Sequence, residues 1–149
     1  MKTGTIMKLF FLSLLLSYSL TASDALEAAK RLGVESDYAT AVERAQKEHK
    51  MLVMVIVKKH CRWCDKIIDK TLSDPLVKEK LEKDYITLVI DKDGAYPNDF
   101  KENFFPSIFY IDAATQKSVY ENVGYVGAKC FMNDLEGALK TKKELYEKR

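Results

Sequence analysis

Cys61 and Cys64, in the stretch KKHCRWCDKI from Lys58 to Ile67, are two of the chain's three cysteines and stand three residues apart. Thiols at that spacing serve as a disulfide staple, half of a metal site, a haem anchor or a redox couple. A c-type haem anchor requires histidine directly after the second cysteine, and Asp65 stands there. A structural zinc site takes four ligands, commonly from two paired motifs. The chain has no second CxxC, and His49, His60 and Cys130 are the conceivable partners, so zinc stays open but weakly supported. A cysteine-protease arrangement needs a histidine oriented on the thiol, and neither histidine is a good candidate. A staple of three residues constrains the unfolded chain very little.

Redox exchange needs no further ligand. The apolar run Met51 to Val57 ends just before the pair, and a helical pattern begins at about Arg62. Cys61 is thereby placed at a helix N-terminus, with Cys64 one turn on and on the same face. That spacing brings the alpha carbons within the roughly 4.4–6.8 Å that a disulfide bridges. Free amide hydrogens and the positive end of the helix favour thiolate at Cys61. His60 and Arg62, with Lys58 and Lys59 nearby, add charge of the same sign. Cys61 is read as the nucleophile and Cys64 as the thiol that resolves its mixed disulfide. The pair is itself the redox group, and no other cofactor and no metal are expected.

The elements that must hold this pair follow from periodicity. A helix is expected over Ser36–His49, capped by Ser36, with Tyr38, Ala41, Val42 and Ala45 on one face. Met51–Val57 and Tyr85–Asp91 are continuous apolar runs of the kind buried on both faces of a parallel sheet. The segment from Trp63 to Leu72 continues as a helix, and Ser73 or Asp74 with Pro75 opens the next. KDGAYPND reads as turns, and FKEN from Phe100 to Asn103 as one helical turn. Ser107–Asp112 and Lys117–Val123 form a hairpin across AATQ. A last helix from about Lys129 carries an apolar stripe of Phe131, Leu135, Ala138, Leu139 and Leu145. The result is an α/β fold, a central mixed sheet of about four strands with helices on both faces.

The N-terminal segment sets the compartment. Lys2 and Lys8 precede the uncharged stretch Leu9 to Ser23, with small residues suited to cleavage between about 19 and 23. This is the pattern of a signal peptide over residues 1–22, and its apolar core is shorter than the roughly 20 residues of a membrane span. An uncleaved anchor facing the same compartment is the alternative. The domain then occupies 23–149, and export to a bacterial periplasm is expected. The whole chain has 24 basic and 22 acidic residues, but removing Lys2 and Lys8 leaves 22 of each sign. A near-neutral domain gives no reason to expect nucleic acid or a membrane surface as partner.

A strand feeding CRWC at a helix start, followed some forty residues later by FPSIFYID, resembles the thioredoxin-like family. It is most similar to the exported branch that carries a helix like AVERAQKEHK before the first long strand, an aromatic such as Trp63 before the second cysteine, and a helix like LSDPLVKEKL after it. The resemblance spans roughly Asp37 to Leu139. It implies a thiol–disulfide oxidoreductase with Pro106 as a cis-proline facing the disulfide and the backbone of Phe105 pairing with an extended client. Gly124 would line the same groove, and Trp63 would form its exposed apolar rim.

Three departures accompany it. Val55 stands where thioredoxins proper carry a buried acid, and Arg62-Trp63 where they carry Gly-Pro. Phe105 is bulkier than the threonine or isoleucine common there, which suggests a restricted client set. The resemblance favours reduction of client disulfides, with electrons from a membrane thiol transporter, and the chain is expected to be a monomer. The cations around Cys61 favour an oxidase or isomerase instead, because stabilising the reduced form makes a stronger oxidant. A peptide-binding or metal-carrying CxxC module without turnover is a third reading. Cys130 is read as a small residue in the first turn of the last helix, with a regulatory disulfide as its alternative.

Overall fold

A computed structural model describes residues 24–146. The signal segment, its cleavage site and the first residue of the expected domain lie outside the described residues. Among those described, no helix is long and apolar enough to cross a membrane.

Four strands form one sheet in the order β2-β1-β3-β4. They are β1 (Met51–Val57), β2 (Tyr85–Asp91), β3 (Ser107–Asp112) and β4 (Lys117–Val123), with the bounds that the apolar runs and the hairpin pattern predict. β1 runs parallel to β2 and antiparallel to β3, which pairs antiparallel with β4. Every residue of β1 is buried. Its alternation sends Met51, Val53, Val55 and Val57 into one core and Leu52, Met54 and Ile56 into the other. The expected mixed sheet between two helical layers is therefore the observed fold.

The first core holds the cysteines, and it is closed by helices α1 (Asp24–Leu32) and α5 (Ala128–Tyr146) together with the helix that follows Cys61. α1 is not expected from the sequence pattern. Its buried stripe is Ala25, Ala28, Ala29 and Leu32, correctly spaced for a helix but so small that the pattern scarcely rises above its charged neighbours. The second core lies under α2 (Tyr38–Lys47). Here the cap differs from expectation. Asp37, in extended conformation, accepts from the Thr40 amide at 2.8 Å, so Ser36 lies outside the helix. The helix also stops short of His49, which adopts φ 54°.

Cys61 caps the N-terminus of α3 (Arg62–Lys66), which runs on into a wider π-helical turn, Ile67–Leu72. Thr71 Oγ1 on that turn donates to the Val126 carbonyl at 2.6 Å, tying it to the loop after β4. Asp74 caps α4 (Pro75–Asp84), accepting from the Leu76 and Val77 amides. One expectation shifts by a turn. The single helical turn falls at Asn98–Phe100, not over FKEN, because Phe100 is buried between Tyr38 and Phe109, with ring centroids 6.2 and 5.1 Å away. Along α5, Phe131, Leu135 and Ala138 are buried and Leu139 is partly so. Leu145 does not join the stripe. It is 55% exposed, and the helix is tied back before it by Lys142, 3.2 Å from the Asp112 carboxylate.

Candidate active site

β1 delivers the chain to the site through a turn in which His60 takes φ 54°. Cys61 and Cys64 then stand with their alpha carbons 5.1 Å apart and their sulfurs joined as a disulfide. Both belong to the core on the α1 and α5 side of the sheet, yet they differ. Cys61 keeps 7% of its surface exposed and Cys64 only 1%. The Cys64 amide donates towards Cys61 Sγ at 3.2 Å, so the sulfur that carries charge after reduction already has a donor in place. That is the helix N-terminus acting on the thiol, as the sequence implies.

Facing Cys61 is the loop before β3. The Phe105 carbonyl oxygen lies 3.8 Å from Cys61 Sγ, and the Phe105–Pro106 peptide is cis. Pro106 is buried, and its carbonyl accepts from the Gly124 amide at 2.7 Å. Gly124 takes φ 93°, a left-handed conformation that disfavours any side chain. These contacts gather Phe105, Pro106 and Gly124 beside Cys61. Trp63 is 44% exposed and stacks on Tyr125, with centroids 5.9 Å apart and planes 27° apart. Tyr125 is absent from the sequence reading, although an aromatic directly after Gly124 was the available signal. Phe104, on the same loop as Phe105, is 71% exposed.

The cations are arranged over these rings. The Arg62 guanidinium lies 4.8 Å from the Trp63 centroid, and Lys66 Nζ lies 5.1 Å from Trp63 and 4.5 Å from Tyr125. Lys58 Nζ is 5.8 Å from the Phe105 ring, while Lys59 and His60 are exposed. Val55 is fully buried in the same core as both cysteines, so the strand position where thioredoxins proper carry a buried acid is apolar. Polar groups reach Cys64 from another direction. An open cleft of about 310 Å³ is lined by Cys64 and by Asp24, Glu27, Asp65 and Asp69, with Arg31 and Lys58. Arg31 is paired with Asp69 at 2.6 Å. Two of those carboxylates come from α1, which is why the sequence pattern did not reveal the cleft. Cys130 is exposed near the start of α5 and is not bonded to the pair.

A family model described as thioredoxin-like matches residues 33–113, more than half of the chain. The chain belongs to the thioredoxin-like family. Solved structures agree on the fold. A thioredoxin from Thermus thermophilus is 19% identical with a TM-score of 0.62, over 78% of this chain and 98% of that one. A DsbH oxidoreductase is 21% identical at 0.58, over 71% and 83%. The oxidised C-terminal domain of Neisseria meningitidis DsbD is 22% identical at 0.56, over 70% and 98%. Among curated proteins no match is found. With a CxxC pair at bonding distance on this fold, the thioredoxin-like chain is a thiol–disulfide oxidoreductase.

Proposed function

We propose that this oxidoreductase works in the bacterial periplasm and reduces disulfides of client proteins. The observation that carries the reading is the asymmetry of the two sulfurs. Cys61 is the reachable one, beside the Phe105 carbonyl, and Cys64 is covered. An extended client pairs with the Phe105 backbone, and Cys61 attacks one client sulfur. Cys64 then attacks Cys61 Sγ and releases the reduced client. The direction of electron flow is supported by the resemblance to the exported branch. The basic, then apolar, N-terminal segment supports export, with cleavage after about Ala22 or retention as an anchor. A membrane thiol transporter would return electrons to the pair.

A second reading rests on the cations around Cys61, which stabilise the reduced form and favour an oxidase or isomerase. Equilibrating the mature protein against glutathione separates the two. A potential near about −270 mV makes it a reductase, and one nearer −120 mV makes it an oxidant. Stoichiometric metal in the purified reduced protein would replace both with a metal carrier.

A further inference from the structure

Between Lys58 and Lys66 the chain places four Lys or Arg residues and one acid, Asp65. Elsewhere among the described residues six Lys or Arg side chains are held by carboxylates, among them Arg31–Asp69, Arg44–Glu35, Lys80–Asp84 and Lys142–Asp112. Among the described residues, Lys58, Lys59, Arg62 and Lys66 have no carboxylate within ion-pair distance. Three of them lie over aromatic rings of the groove. A cation over a ring keeps its hydrogen-bond donors free on the outward side. Asp65, the nearest acid in sequence, lines the cleft on the Cys64 side with Asp24, Glu27 and Asp69, a cleft that Lys58 also borders without pairing to any of them. Asp91 and Asp93 border Lys58 and Lys59, but Asp93 is already held by Lys92 at 2.8 Å.

The groove is thus a row of aromatic rims, Trp63, Tyr125 and Phe105, under unpaired positive charge. We infer that its preferred client is an extended segment with Asp or Glu immediately beside its half-cystine. This inference deepens the reading of a client-reducing oxidoreductase and rests on it. Each turnover moves two electrons from the Cys61–Cys64 dithiol to the client. The Cys61 thiolate displaces one client thiolate, which takes up a proton, and a mixed disulfide forms. Cys64, losing its proton, then displaces the second client thiolate and the intramolecular disulfide closes. The carboxylates next to the client sulfur lie against Lys58, Arg62 and Lys66 through both steps, so they speed encounter as well as binding.

The test uses the mature protein, reduced with excess dithiothreitol and then desalted, with Trp63, the chain's single tryptophan, as the fluorescent reporter of oxidation. Three peptides of one length carry the same disulfide flanked by Glu, Gln or Lys. The neutral hydroxyethyl disulfide is the fourth substrate. The Glu peptide is expected to react at least about tenfold faster than the Gln peptide at low ionic strength. That advantage should fade at roughly 1 M salt, where the screening length is about 3 Å. A Lys58→Glu/Lys66→Glu variant should invert the order of the Glu and Lys peptides, a ratio read within one variant and so independent of its overall rate. Equal rates for Glu and Gln peptides, or a preference that survives the charge reversal, overturn the inference. If hydroxyethyl disulfide is turned over in that case, only the client preference falls. If neither the peptides nor hydroxyethyl disulfide is turned over, the reading of a client-reducing oxidoreductase falls with it.

Discussion

The two sides of the Cys61–Cys64 disulfide present opposite chemistry. Outside Cys61 are exposed cations seated on aromatic rings, and on the Cys64 side is a cleft edged by four carboxylates, from α1, α3 and the turn after it, with Arg31 and Lys58. The outer side suits a sulfur that must be a thiolate when a client arrives. The inner side suits a thiol that must give up its proton only after the mixed disulfide exists. Thioredoxins proper carry a buried acid in the strand before the pair, and here Val55 stands at that position. The carboxylates that share a cleft with the buried sulfur come instead from α1, a helix outside the sheet, and from the segment after Cys61.

The largest test of this contrast exchanges the cysteines. Cys61→Ser should abolish exchange, whereas Cys64→Ser should still attack clients and accumulate mixed disulfides on non-reducing gels. Equal, adduct-free loss in both would erase the distinction between the sides. Next in size is Val55→Asp, which buries an unpaired carboxylate and should cost about 3–5 kcal/mol in urea unfolding at neutral pH. Burial raises the folded carboxyl's pKa, so stability should decline from about pH 4, where the unfolded carboxyl ionises, until the folded one ionises too. A variant as stable as the parent would mean that water already reaches beneath the pair.

A smaller effect is expected from Asp24→Asn/Glu27→Gln. Mixed-disulfide formation should be unchanged and its resolution slowed. The slowing should fall below the ~10²-fold of a positioned general acid or base, since both carboxylates are exposed. The smallest change serves as a control on the far core. Asp37→Ala should cost about 1 kcal/mol of stability and leave exchange kinetics alone. The Thr40 amide and hydroxyl hold the Asp37 carboxyl below its usual range. Its contribution is therefore full above about pH 4 and lost as the pH falls through the lowered folded value, a loss visible in thermal unfolding scans.

Large side chains made the fold legible. The runs MLVMVIV and YITLVID state their own burial, and Asp74-Pro75 states a helix start. What escaped is built from small or isolated residues. The stripe of α1 is three alanines and one leucine, and the displaced turn at Asn98–Phe100 depends on one phenylalanine reaching a distant core. At the site, the CxxC pair was legible from spacing and compartment, while Phe105, Pro106 and Gly124 came from the family resemblance. The cleft beside Cys64 brings Glu27 of α1 together with Asp65 and Asp69, a meeting of segments distant in sequence that no local pattern encodes.

The hydrogen bond from Thr71 to the Val126 carbonyl has a thermodynamic consequence. It braces the helix that carries Trp63 against the loop that carries Tyr125, so both walls of the groove are set before any client arrives. A preorganised slot pays little ordering entropy on capture. Clients should then associate at similar rates where their charges match, and differ mainly in how long they stay.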